Sequence, residues 1–197
     1  MPFVVGAVGL LLSRSAYGRR HGQNVVVATF CIVVATAGIL ALRALFFLSP
    51  AWAVVSYPTP TLRARAVQAA FDQFMIGSAI LGAVAGVGWV LFTHALQDTK
   101  GRVLLWSGLV WGVTINLAVY AYVRPIMMQA IARAFTWPGS YPPEINAAGV
   151  LVDALRLASL VAAVPTVLAY ARAYSRVTNP SGPVGLAVKR RLGKSAP

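Results

Sequence analysis

The feature that most constrains this chain is a set of four long apolar runs separated by short polar or proline-rich stretches. They cover Val25 to Leu48, Phe74 to Leu96, Val103 to Val123 and Ala147 to Ala171. A helix needs roughly 20 apolar residues to cross the hydrocarbon of a bilayer, since each residue advances it by about 1.5 Å. Each run meets that length. The composition agrees: 58% of the residues are hydrophobic, 11% are charged, and the mean hydropathy is +0.73. A soluble domain carries about 45–50% apolar and about 25% charged residues. A soluble globular enzyme, a disordered tail and a collagen-like repeat are therefore excluded. The expected fold is all-α: one polytopic membrane bundle of four transmembrane helices over residues 25–177. An N-terminal segment (residues 1–24) precedes it and a basic tail (178–197) follows.

Residues 2–12 form an apolar run that is too short to span. Arg14, Arg19 and Arg20 follow it, and no acid occurs before Asp72. Two readings stay open: a targeting segment of mitochondrial type, or a helix lying in the interface. The first span is expected to end at Ser49-Pro50, because proline lacks the N–H that continues a helix. Trp52, Tyr57 and Pro58-Thr59-Pro60 then read as a loop. The second helix is expected to start near Thr61, with an amphipathic beginning that includes Asp72 and Gln73, read as a solvated helix end. The connection Gln97 to Arg102 is short and polar, so the second and third helices form an antiparallel hairpin. Arg124-Pro125 is expected to interrupt the third span, and Pro165 to kink the fourth.

The charge is lopsided, with 17 Lys and Arg against four acids and a net +13. On a soluble chain this would suggest nucleic acid. Here the cations sit at the ends of apolar runs and no nucleic-acid motif accompanies them, so nucleic acid is excluded as a partner. Four spans put both termini on one side. Eleven cations fall on that side, four on the other, and Arg43 and Arg156 fall within spans. The positive-inside rule then places both termini in the cytoplasm or in an organelle's matrix. The inner mitochondrial membrane is the favoured location, and a bacterial plasma membrane the alternative. Trp52, Tyr57, Trp137 and Tyr141 would form the opposite interfacial belt. Anionic lipid headgroups are expected partners of the tail cations Lys189, Arg190 and Arg191, which could equally dock an acidic subunit.

Small residues recur every four positions at Ser78, Gly82 and Gly86, and again at Gly108 and Gly112. Such spacing lets helix backbones approach closely. Arg43, Asn116, Asp153 and Arg156 lie inside the apolar runs, where polar groups are costly. They are expected to face inward and share partners, with Asp153 and Arg156 close enough to pair at i, i+3. This set is the candidate ligand-binding group. His94 and Asp98, at i, i+4, could form a proton relay. No Gly-rich phosphate loop, Ser-His-Asp set, His-Glu-x-x-His or Cys-x-x-Cys occurs. Cys31 is the one cysteine. No catalytic residue, metal or cofactor is expected.

Three short stretches resemble the family of small four-helix membrane proteins that includes the fungal anthrone oxygenases. They are Leu48-Ser49-Pro50, Tyr122-Val123-Arg124-Pro125, and Asp153-Ala154-Leu155-Arg156 followed by Pro165. The resemblance covers residues 25–172 loosely. It implies a four-helix membrane fold and oxygenation without a metal cofactor. Two functions thus stand. One is a non-catalytic accessory subunit of a larger membrane complex of the energy-transducing kind, such as a respiratory-chain or ATP synthase assembly. The other is a small cofactor-free membrane enzyme or carrier built around Arg43, Asn116, Asp153 and Arg156.

Overall fold

A computed structural model describes residues 18–137 and 142–179, apart from the side chains of Arg156 and Ala162. The apolar segment 2–12, Arg14, Tyr141 and the tail cations Lys189, Arg190 and Arg191 lie outside the described residues. The chain is an all-α four-helix bundle: α1 (Arg19–Ser56), α2 (Pro60–His94), α3 (Thr99–Thr136) and α4 (Glu144–Thr178). There is no strand among the described residues. All four helices are long and apolar enough to cross a membrane. The shorter two have 35 residues. Such a helix runs roughly 52 Å, against about 30 Å of hydrocarbon. The helices therefore continue past the bilayer core.

The expected ends of two spans are corrected. α1 continues through Pro50 to Ser56, and α3 continues through Pro125 to Thr136. The reason at Pro50 is local. The missing N–H would have served the Phe46 carbonyl four residues back. The Ser49 hydroxyl donates to that carbonyl instead, at 2.7 Å. In a low-dielectric setting such a substitute bond lets a helix carry a proline that would break it elsewhere. α4 likewise runs through Pro165.

The true breaks are where capping chemistry concentrates. Thr59 precedes Pro60, the first residue of α2, and its hydroxyl accepts from the Leu62 N–H at 3.3 Å. Proline fits there because that N–H would be unpaired anyway. Asp98 caps α3, accepting from the Gly101 N–H at 2.8 Å.

The chain divides into two compact units, each containing a stretch of every helix. The first comprises Met1–Val34, Val84–Trp111 and Ala162–Pro197. Val25 and Ala28 of α1 pack with Phe92 of α2. Val90 of α2, Leu105 of α3 and Ala169 of α4 form a second cluster. Gly88 allows α1 and α2 to touch. A Cβ built there would lie 2.9 Å from the Ala28 carbonyl oxygen and 2.8 Å from Ile32 Cγ1.

The second unit comprises Ala35–Ala83 and Gly112–Val161. Its core joins Ala53, Val67, Phe71 and Ile131. The Phe46 ring lies 5.5 Å from both Phe71 and Phe74, stacked on the latter. Gly38 sits against Leu81, and Gly77 against Leu42.

Candidate functional site

Polar groups in a bundle of this kind have few places to go, so their partners define what the structure can do. Asp72, Asp98 and Glu144 are each held by an arginine from a different element. In the second unit Arg124 of α3 grips Asp72 of α2 with both ends of its fork. Nε donates to Oδ1 at 2.5 Å and Nη2 to Oδ2 at 3.1 Å. The Arg124 guanidinium also lies over the Tyr120 ring, 5.6 Å from its centre. A turn further along, Gln68 donates to the Met128 carbonyl at 2.7 Å. Arg133 of α3 pairs with Glu144 of α4. These clamps join α2 to α3 and α3 to α4. A two-point arginine–carboxylate contact fixes orientation as well as charge.

The first unit repeats the pattern around the α2–α3 connection. Arg172 of α4 donates to Asp98 Oδ2 at 2.6 Å. The Arg172 guanidinium, helped by the Gly101 amide, holds the Asp98 carboxyl below the usual carboxylate range. Gln97, almost fully buried, donates to the Ala169 carbonyl at 2.6 Å. The Tyr170 hydroxyl donates to the Trp89 carbonyl at 2.7 Å. Asp98 is thus engaged by α4. The His94 ring stands edge-on to Trp106, with centres 6.3 Å apart. The proposed His94–Asp98 relay is not formed.

Three of the four intramembrane candidates have described side chains, and each of the three is exposed in the chain. Arg43 is exposed on α1, its guanidinium 5.5 Å from the centre of the Phe47 ring one turn on. Asn116 of α3 is exposed, with its amide nitrogen beside Gly82 of α2. Asp153 of α4 is exposed as well. The Arg156 side chain lies outside the described ones. The loop reading of Trp52 is also corrected: it lies on α1, 67% exposed.

The small-residue candidates divide. Gly86 meets Leu109, with 2.5 Å to an added Cβ, and Gly108 meets Thr166 of α4. Gly82 faces Asn116, and Ser78 is half-buried with its hydroxyl enclosed. Gly112 has no atom of the described residues within 4 Å of an added Cβ. Sequence spacing missed Gly38, Gly77 and Gly88. α2 in fact carries two glycine faces. One (Gly77, Gly88) meets α1, and the other (Gly82, Gly86) meets α3.

The Asp72–Arg124 pair was also missed, although a signal existed. The two residues are equally far in sequence from Asp98, where the hairpin turns, and so are Gln68 and Met128. Folding the sequence about Asp98 aligns both pairs. Among the described residues no group of three or more His, Cys, Asp or Glu gathers as a metal site. No protein family, curated protein or solved structure gives a match to this chain.

Proposed function

We propose that the chain is a non-catalytic integral membrane subunit of a larger membrane assembly. The carrying observation is the exposure of Arg43 and Asn116 on apolar helices of one unit. A charge facing mid-membrane lipid costs at least about 2.5–3.5 kcal/mol on insertion scales. A partner helix offering polar groups removes that cost. The rest of the surface fits the same reading. No more than 17% of any apolar window is buried inside the chain, leaving wide apolar faces for lipid and partners. Three of the four carboxylates serve as helix clamps, which withdraws them from service as bases.

The charge asymmetry and the acid-free start support the inner mitochondrial membrane, with both termini in the matrix. An energy-transducing complex is the corresponding assembly. A bacterial plasma membrane with cytoplasmic termini is the other location consistent with the same asymmetry.

The test is native electrophoresis after mild detergent extraction. The full chain is expected to migrate with a large assembly, and Arg43→Leu or Asn116→Leu to shift part of it to the free form. A stable free monomer or dimer that binds a small apolar ligand would instead select the enzyme or carrier reading.

A further inference from the structure

The first turns of α3 carry an outward groove that neither the ion pairs nor the assembly reading uses. Thr99 and Arg102 stand at one end, and Val103, Trp106, Val110 and Trp111 line its length. These positions recur at i, i+3, i+4 and i+7, so they share one helix face. That face is open: Val103 is 63% exposed and Val110 64%. Ser107, also in the groove, turns its hydroxyl back to the Leu104 carbonyl at 2.9 Å. The wall is therefore apolar below its charged end.

Two measures of the groove fit one ligand chemistry. From Thr99 to Trp111 the helix rises roughly 18 Å, close to the roughly 15 Å of one bilayer leaflet. At the Thr99 end Lys100 and Arg102 are both exposed, while the nearest carboxylate, Asp98, is taken by Arg172. The charged end is thus net positive and sits where the apolar run of α3 begins. We propose that this groove holds one anionic phospholipid, its phosphate at Arg102 and Lys100 and an acyl chain along Val103, Trp106, Val110 and Trp111. A second protein helix ending at this level would bring no matching negative charge unless it were unusually acidic there.

The experiment is tryptophan quenching in nanodiscs by brominated lipids. The full chain carries Trp52, Trp89 and Trp137 replaced by Phe, so that emission reports Trp106 and Trp111. Brominated phosphatidylglycerol should compete against brominated phosphatidylcholine with a relative binding constant of at least about 5, since each basic residue near an anionic headgroup contributes a factor of about that size. Lys100→Gln with Arg102→Gln should bring the constant to about 1. A constant near 1 in the parent chain, or one unchanged in the double variant, overturns the proposal. Quenching by neither lipid also overturns it, since the groove is then covered by protein. Native mass spectrometry of the chain with all five tryptophans gives a second reading. One phosphatidylglycerol should stay bound and be lost with Arg102→Gln; retention in that variant, or no bound lipid in the parent, counts against the site.

Discussion

Replacing Gly88 with alanine adds one methyl group where α1 and α2 leave no room. The new carbon would lie 2.8 Å from Ile32 Cγ1, 2.9 Å from the Ala28 carbonyl oxygen and 3.3 Å from Cys31 Cβ. The isoleucine can rotate away. The Ala28 oxygen belongs to the α1 backbone, so relief requires the helix itself to shift. Overpacking of this kind costs about 1–3 kcal/mol. Alanine also returns up to about 1 kcal/mol through helix propensity. Gly112→Ala supplies the control, because nothing stands within 4 Å of its added carbon. It collects the propensity term alone. The difference between the two variants therefore isolates packing, at about 1–3 kcal/mol, or roughly 5- to 150-fold in the unfolding constant. Unfolding of the full chain in mixed micelles of mild detergent and dodecyl sulfate, followed by circular dichroism, measures it. Equal stabilities within about 0.5 kcal/mol would refute the close approach of α1 and α2 at Gly88.

Asp72→Asn should lower thermal stability and the yield of folded protein by stranding Arg124. The exchange Asp72→Arg with Arg124→Asp should recover part of the loss, which a thermal melt of all three chains would check. Ser49→Ala should destabilise α1 by about 1 kcal/mol by leaving the Phe46 carbonyl unserved. Pro50→Ala added to it should cancel that cost, because the new N–H takes over the carbonyl; a double-mutant cycle reads the coupling. Asp98 titrates below the usual carboxylate range when folded, chiefly through the Arg172 hydrogen bond. Its contribution is thus complete above the unfolded carboxylate pKa and is lost as the pH falls through the lower folded value. Unfolding midpoints should accordingly fall below about pH 4, and Asp98→Asn should show a smaller fall.

Much of the fold was legible because hydrophobic length alone selects four membrane helices, and a short polar connection forces the α2–α3 hairpin. Helix ends were less legible. Proline reads as a stop, but whether it stops a helix depends on a substitute donor such as the Ser49 hydroxyl, which is a matter of geometry. The glycine faces were half legible. Four-residue spacing picks out Gly82 and Gly86, which meet α3. Gly77 and Gly88 are eleven apart, three helical turns, and fall outside a four-residue search. The candidate site was the least legible part. A charge inside an apolar run signals a needed partner without saying whether that partner lies in the same chain. Asp72 and Arg124, just outside the second and third runs, find each other. Arg43 and Asn116 are exposed on their helices, and the proposed function assigns their partner to another protein.

Photo-crosslinking from position 116 in native membranes tests that central claim most directly. With a crosslinking residue in place of Asn116, the account predicts adducts of defined mass with another membrane protein. Position 110, in the groove of α3, should give lipid adducts in the same membranes. Lipid adducts alone at position 116 would contradict the account, because they would leave Asn116 facing hydrocarbon instead of another protein.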